Sequence, residues 1–449
     1  MILFKNFFVK TVVNLGDKLL GANYLKSLEE WNNYDKMSSH ELDKIQKENL
    51  NKLLSHAVKT VPFYKNYFNS KEYKFPLSLA DFPVLTKEKL REQKESLVSE
   101  LFSLNNLQKN FSSGSSGIQS YSYTDKKYKF YLQGIHSHWY MWSGYRIGDP
   151  ILQFGISPKR VFPKNLKDLF YSVHYLNSFT LNENKLIETA TVLKEKKIEY
   201  IIGYPSAINE FAKVLIKYNL NYRIKGVISL GDKLFPHFRK NFNDAFINPK
   251  IIDTYGCAEG LLMACTNDLD FYYIMSPNVE IEIVDDDENP VSDGEIGNVL
   301  VTSLTSYSMP LIRYKLGDLA IKLPKEKYPK DRKFQYPILE KIIGRETDVV
   351  ITPNNKTLIV HSFTGIVEFY PEIKQFRIVQ ESIDKIIFEY IIDAFFTFKI
   401  NVLSEIKEKI DLLSDNTLTI EFIEVDEIKP TPSGKPQIIE SKIKSNSLK

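Results

Sequence analysis

Cysteine is nearly absent from this chain. Cys257 and Cys265 are the two in 449 residues, which excludes a disulfide framework and a cysteine-rich zinc or iron–sulfur site. It fits the reducing cytoplasm, the expected location. Arginine is scarce too. Of 59 Lys and Arg residues nine are Arg, a poor supply for bidentate phosphate or base readout. Net charge is +3, so nothing demands a polyanionic partner and no nucleic acid is expected. No apolar run reaches the about 18 residues of a spanning helix. Long repeats and sizeable low-complexity tracts are missing as well. What is present is ordinary for a globular protein: 43% apolar and 26% charged residues, values that exclude global disorder. At about 150 residues per domain, the length allows two or three domains.

The opening MILFKNFFVKTVVNLGDKLLG reads as a poor signal peptide, because Lys10 interrupts the apolar run and no small-residue cleavage site follows. At helical spacing Phe4, Phe8, Val12, Leu15 and Leu19 share a face, with Lys5, Lys10 and Asp17 off it. Such a helix docks on its own domain or lies in a membrane interface, so residues 1–20 are a candidate peripheral membrane contact.

Residues 1–110 read as mostly helical. A cap-like Ser38-Ser39 precedes a stripe of Leu42, Ile45, Leu50, Leu53, Leu54 and Ala57, and Pro62 ends it. A further helix is expected around 86–100. From about 110 to 305 strands alternate with helices. Apolar runs at 150–154, 199–203, 226–230, 250–254 and 279–284, with helical stretches at 184–197 and 206–218, predict an α/β domain with parallel strands. Residues 294–322 read as hairpin-rich. The last hundred residues read as a small α+β unit with strands KQFRIVQ, KIIFEYII and TLTIEFIEV, a helix at 404–413, and a boundary near 345.

Five segments carry candidate chemistry. Ser112-Ser113-Gly114-Ser115-Ser116-Gly117 offers N–H groups and hydroxyls to phosphate oxygens, but lacks the Gly-Lys-Ser/Thr ending of a Walker loop. Taken alone, such a Ser/Gly run is more often a flexible loop than a phosphate cradle. Asp253-Thr254-Tyr255-Gly256-Cys257-Ala258-Glu259 follows the apolar Ile251-Ile252. An aromatic, a glycine and a carboxylate at a strand end suit a ligand site at the C-terminal edge of a sheet. There Tyr255 could stack on a base and Glu259 hold Mg²⁺. An ordinary strand–turn–helix with a capping Glu reads the same way. The others are the Pro310–Asp318 segment, Gly344-Arg345-Glu346-Thr347-Asp348, and Ser433-Gly434-Lys435. Each is unremarkable by itself.

In this order and spacing the segments resemble the adenylate-forming (acyl-activating) enzymes, most closely the branch of phenylacetate–CoA ligases and CapK-like proteins of polysaccharide gene clusters. LLSHAVKTVPFYKNYF, FPVLTKEKL, GYRIGDPIL, GYPSAI and SLGDKL extend the resemblance over nearly the whole chain. It implies a large N-terminal adenylation domain, 1–344, and a small mobile C-terminal domain, 345–449, that carries a catalytic lysine. Ser112 through Gly117 would then lie over the ATP phosphates. Gly231, Asp232 and Asp253, Thr254, Tyr255 and Gly256 would line the adenine. Glu259 would coordinate Mg²⁺, Asp318 the ribose hydroxyls, and Arg345 the ribose and phosphate side. Asp348 falls at the hinge. Lys435 would bridge carboxylate and α-phosphate.

The chain departs from that pattern in places. Ile118, Gln119 and Ser120 follow the phosphate loop where a Lys is common. Ala258 replaces a hydroxyl residue, Asp232 a Glu, and TPNNKTLIV lacks a glycine found in many CoA ligases. The implied cofactors are ATP and Mg²⁺, with CoA possible. The implied reaction makes an acyl adenylate from a small or sugar-linked carboxylate and passes the acyl group to an amine or thiol. A CoA ligase of the phenylacetate type is the rival enzyme, and a non-catalytic nucleotide-binding protein of the same fold the rival non-enzyme. His136, His138, Trp139 and Trp142 read as aromatic packing or as lining of the acyl pocket.

Overall fold

The computed structural model describes residues 11–443 except 20, 22, 70–75, 112–120, 156–167, 169, 179–180, 232, 258, 346–348, 355–356, 368, 371, 393–396, 399–400 and 430–436. At Arg345 the description covers the backbone. Among the described residues an 11-stranded sheet is the spine. Its order is Val279–Val284, Ile296–Ser303, Tyr314–Lys322, Ile338–Arg345, Tyr272–Ile274, Leu261–Thr266, Lys250–Cys257, Gly226–Ser229, Tyr200–Gly203, Ile151–Gly155, Val173–Asn177.

From Lys250–Cys257 to the Val173–Asn177 edge the strands pair parallel. Tyr200–Gly203 and Gly226–Ser229 are buried throughout, hence their uninterrupted apolar sequences. Helices Glu183–Glu195 and Pro205–Lys217 contribute Leu186, Leu193, Ile208, Phe211 and Leu215 to the same core. The expected parallel series stops earlier than its apolar runs suggest. Val279–Val284 pairs antiparallel with Ile296–Ser303. After Cys257 the chain does not enter a helix. It turns and returns as Leu261–Thr266, antiparallel to its predecessor, with a register shift at Tyr255/Gly256. That strand is buried at all six positions and so shows no alternation in sequence.

Helices cover the N-terminal part. Ser38 caps Ser39–Thr60 in a reciprocal box with Glu41, and Pro62 opens a new helix, Pro62–Asn69. The helix expected near 86–100 is shorter, Lys87–Gln93, and is followed by a 3₁₀ turn. Helix Tyr24–Tyr34 packs on Lys126–Trp142 at Gly134, where a Cβ would lie 2.8 Å from Ser27 Cβ. Beyond its end, Asp35 gathers the aromatic cluster. Its Oδ2 meets His138 Nε2 and Trp142 Nε1, each at 2.9 Å, and its Oδ1 accepts from the Tyr336 hydroxyl at 3.0 Å. Trp139 is fully buried, its Nε1 on Met275 Sδ at 3.2 Å. For His138, Trp139 and Trp142 the packing reading holds.

The C-terminal part has its own four-stranded sheet, ordered Thr419–Glu424, Lys385–Ile392, Ile373–Ser382, Ile439–Ser441. Helices Val360–Val367 and Val402–Leu413 close its core through Phe363, Ile406 and Ile410. Phe235 and Phe238, at the start of helix Pro236–Ala245, also pack into that core.

Candidate active site

Asp253, Thr254, Tyr255, Gly256, Glu259 and Asp318, candidates among the described residues, lie near where the parallel half of the sheet meets the antiparallel half. Strand Lys250–Cys257 carries Asp253, Thr254, Tyr255 and Gly256 to this junction. Thr254 Oγ1 donates to the Ser229 carbonyl of the next strand at 2.9 Å. Asp253 is buried; its amide donates to Thr266 Oγ1 at 2.8 Å and its Oδ2 accepts from the Tyr272 hydroxyl. Its Oδ1 and the Ser229 hydroxyl are both buried with no hydrogen bond of good geometry. Burial holds the Asp253 carboxyl above the usual range, and the Tyr272 hydroxyl opposes that rise.

Tyr255 and Asp318 lie 63 positions apart in sequence, yet the Tyr255 hydroxyl donates to Asp318 Oδ2 at 2.8 Å. Burial, then the Asp318 charge, pushes the phenol well up, so Tyr255 stays a donor at neutral pH. Across the ladder, Asp318 pairs in register with Arg345 at the end of Ile338–Arg345. Three strands therefore bring Tyr255, Asp318 and the Arg345 backbone together. Asp318 follows Gly317, whose φ of +79° has open space around it. The strand is irregular in register there, and it demands glycine for its backbone, not for room.

Glu259 stands in the turn after Cys257 and is 7% exposed. The fully buried Tyr314 donates its hydroxyl to Glu259 Oε1 at 2.9 Å. Ser122 Oγ donates to the Glu259 carbonyl at 3.1 Å, and the Tyr128 hydroxyl to the Gly260 carbonyl at 3.0 Å. Ser122 belongs to Tyr121–Thr124, which pairs with Gln108–Phe111. In sequence, residues 112–120 lie between these two strands, and Ser122, just past them, is the residue bonded to the Glu259 turn. Ser112, Ser113, Gly114, Ser115, Ser116 and Gly117 themselves lie outside the described residues, as do Asp232, Asp348 and Lys435. Cys257, beside this acid, has its thiol pushed well up by burial and by the Glu259 charge, which makes it a poor nucleophile.

Gly231, at φ +79°, sits against Tyr204; a Cβ there would come within 2.9 Å of the ring. Two residues later stands Lys233, to which the motif reading assigned no role. Its Nζ donates to the Ile343 carbonyl at 2.5 Å. The Gly231 turn is thereby fastened to the strand that ends in Arg345. A lysine within SLGDKL gives no local sign of a partner 110 residues away. Arg313, within the Pro310–Asp318 segment, points elsewhere. It is buried at φ +49°, with its Nε at 3.2 Å from Glu282 Oε1 and its Nη1 on the Phe82 carbonyl at 3.3 Å. It clamps the N-terminal segment to the sheet.

Residues 172–307 match the AMP-binding enzyme family. The chain is similar to Protein CapK of Staphylococcus aureus, 22% identical over 428 residues and 90% of each chain. It is also similar to phenylacetate-coenzyme A ligase of Escherichia coli, 34% identical over 105 residues, 22% of this chain and 23% of that one. Its fold is that of 2-hydroxyisobutyryl-CoA ligase, solved in the postadenylation state with an acyl adenylate, at a TM-score of 0.72, 17% identity and 90% coverage of each chain. Fold, family match and relatives agree: residues 172–307 match the AMP-binding enzyme family, the chain has the adenylate-forming fold, and it is similar to CapK along most of its length and to a phenylacetate-coenzyme A ligase over a shorter stretch.

Proposed function

We propose that the protein activates a carboxylic acid as its acyl adenylate at the junction of Asp253–Tyr255, Glu259 and Asp318, and passes the acyl group to an amine or thiol. The observation that carries this reading is the Tyr255–Asp318 hydrogen bond, with Arg345 in register across from Asp318 and Glu259 buried at the adjacent turn. A carboxylate oxygen attacks the α-phosphorus of ATP, a P–O bond breaks and pyrophosphate leaves. Tyr255 holds the Asp318 carboxylate as acceptor for the ribose hydroxyls. Asp253 Oδ1, buried with no protein hydrogen bond of good geometry, is an acceptor suited to the adenine amino group. Arg345 and the Ser112–Gly117 segment serve the phosphates. Lys435, from a C-terminal domain of 345–449, contacts the carboxylate and α-phosphate during this half-reaction.

The described residues contain no cluster of three or more His, Cys, Asp or Glu placed to hold a metal. Magnesium bound with ATP takes one or two carboxylates and completes its shell with phosphate oxygens and water. A single buried Glu259 fits that need. Bound there, Mg²⁺ would neutralise charge on the separating phosphates.

The chain is similar to CapK over 90% of both chains, and the resemblance of its motifs to CapK-like proteins of polysaccharide gene clusters favours an acid destined for surface polysaccharide and an amine acceptor on a sugar. The local similarity to a phenylacetate-coenzyme A ligase supports CoA as the alternative acceptor. The test is pyrophosphate release from Mg·ATP across aromatic, fatty, amino and uronic acids, with and without CoA. Acid-dependent release is expected. Its absence across the panel, with ATP still bound, would favour a nucleotide-binding role without turnover.

A further inference from the structure

The helix at 11–19 docks by a narrow side. Val13 is its one buried apolar residue, and Asp17 is its anchor. The Asp17 carboxylate accepts the Tyr24 amide at 2.6 Å and the Leu25 amide at 3.2 Å. It thereby supplies an acceptor that the next helix lacks, since Asn23 makes no side-chain cap there. Of the two readings of this stripe, docked or interfacial, the described residues show it facing out. Val12 is 38% exposed, Leu15 59% and Leu19 77%. These three lie within one arc of the helix, and Phe4 and Phe8 continue the same stripe in sequence.

Charge indicates what covers it. In residues 1–20 the basic residues are Lys5, Lys10 and Lys18, and the single acid is Asp17. Asp17 is turned inward onto the two amides, so Lys18 stands exposed on the outer side with no acid of its own helix beside it. Among the described residues no helix is long and apolar enough to cross a membrane. An exposed apolar stripe with a lysine at its side lies in an interface rather than across it. We propose that this outward face binds an anionic lipid surface, with Val12, Leu15 and Leu19 entering the headgroup region and Lys18 meeting lipid phosphates. The enzyme would thereby work beside a membrane.

The test uses the full chain in sedimentation with phosphatidylcholine vesicles, with and without about one third phosphatidylglycerol. Binding to the anionic vesicles, weakened by salt, is expected. The double variant Leu15→Glu, Leu19→Glu should lower that partition by about tenfold or more, because both side chains are already exposed and the loss is of lipid contact. Lys18→Glu reverses one charge and should cost about 20-fold on anionic vesicles. ATP binding should be unchanged in both, which confirms that they fold. The proposal is overturned if the native chain ignores anionic vesicles, or if the double variant binds them equally. It is also overturned if sedimentation velocity shows a dimer that the double variant abolishes without any vesicle binding, which would assign the face to a second copy.

Discussion

Replacing Glu259 with Gln tests the site most directly. The two side chains have the same shape, and a Gln Oε1 can still accept from the Tyr314 hydroxyl, now 2.9 Å from the carboxylate. The turn should therefore persist, held by Ser122 and Tyr128 on its carbonyls. What the substitution removes is a negative charge. At 7% exposure that charge is little screened by water. Two unit charges 4 Å apart at an effective dielectric of 20 interact by about 4 kcal/mol. Exchange of carboxylate for water in the metal shell returns part of that, leaving about 2–3 kcal/mol, or roughly 10²-fold. The assay needs no acid substrate: titrate ATP calorimetrically with Mg²⁺ and with EDTA. Native protein should bind the magnesium complex more tightly, and Glu259→Gln should lose most of that increment while binding metal-free ATP as before. An unchanged Mg²⁺ increment, in a variant shown to be folded, would refute the assignment of Glu259 to the metal.

Three further predictions follow from separate features. Lys233→Met keeps the stem and loses the bond to the Ile343 carbonyl; at a half-buried position this should weaken ATP binding about fivefold with little loss of thermal stability, read by calorimetry and melting. Lys435→Ala should leave folding intact and slow pyrophosphate release about 10²-fold or more, while sparing transfer from a supplied acyl adenylate. Glu280 has its carboxyl raised from 4.5 to about 7 by burial, against the pull of Lys322 and with the repulsion of Glu282 and Asp43. Between those two values the folded state holds a proton that the unfolded chain has lost, so stability falls as pH rises through that window. Glu280→Gln should flatten urea-unfolding stability between pH 5 and pH 7 and add up to about 3 kcal/mol at pH 8.

The sequence by itself determined the local features. Ser38 with Glu41 three residues on is a helix start legible without any partner, and the α/β alternation of residues 150–257 follows from strands buried on both faces. Order and spacing of the short motifs also singled out Tyr255, Glu259, Asp318 and Arg345 as candidates, because a resemblance to a family is carried by residue type at fixed positions. Tertiary structure decided how these residues meet. Glu259 and Tyr314 are 55 residues apart, Asp35 and Tyr336 are 301 apart, and no window holds both members of either pair. Leu261–Thr266 escaped reading because a strand buried on both faces loses the period that reveals it. At 11–19 the pattern correctly marked one apolar stripe. Which side of that helix the protein covers depended on Asp17 finding two amides at the start of the next helix. Hydrophobic spacing describes a face, but its partner is chosen by whatever the rest of the chain brings within reach.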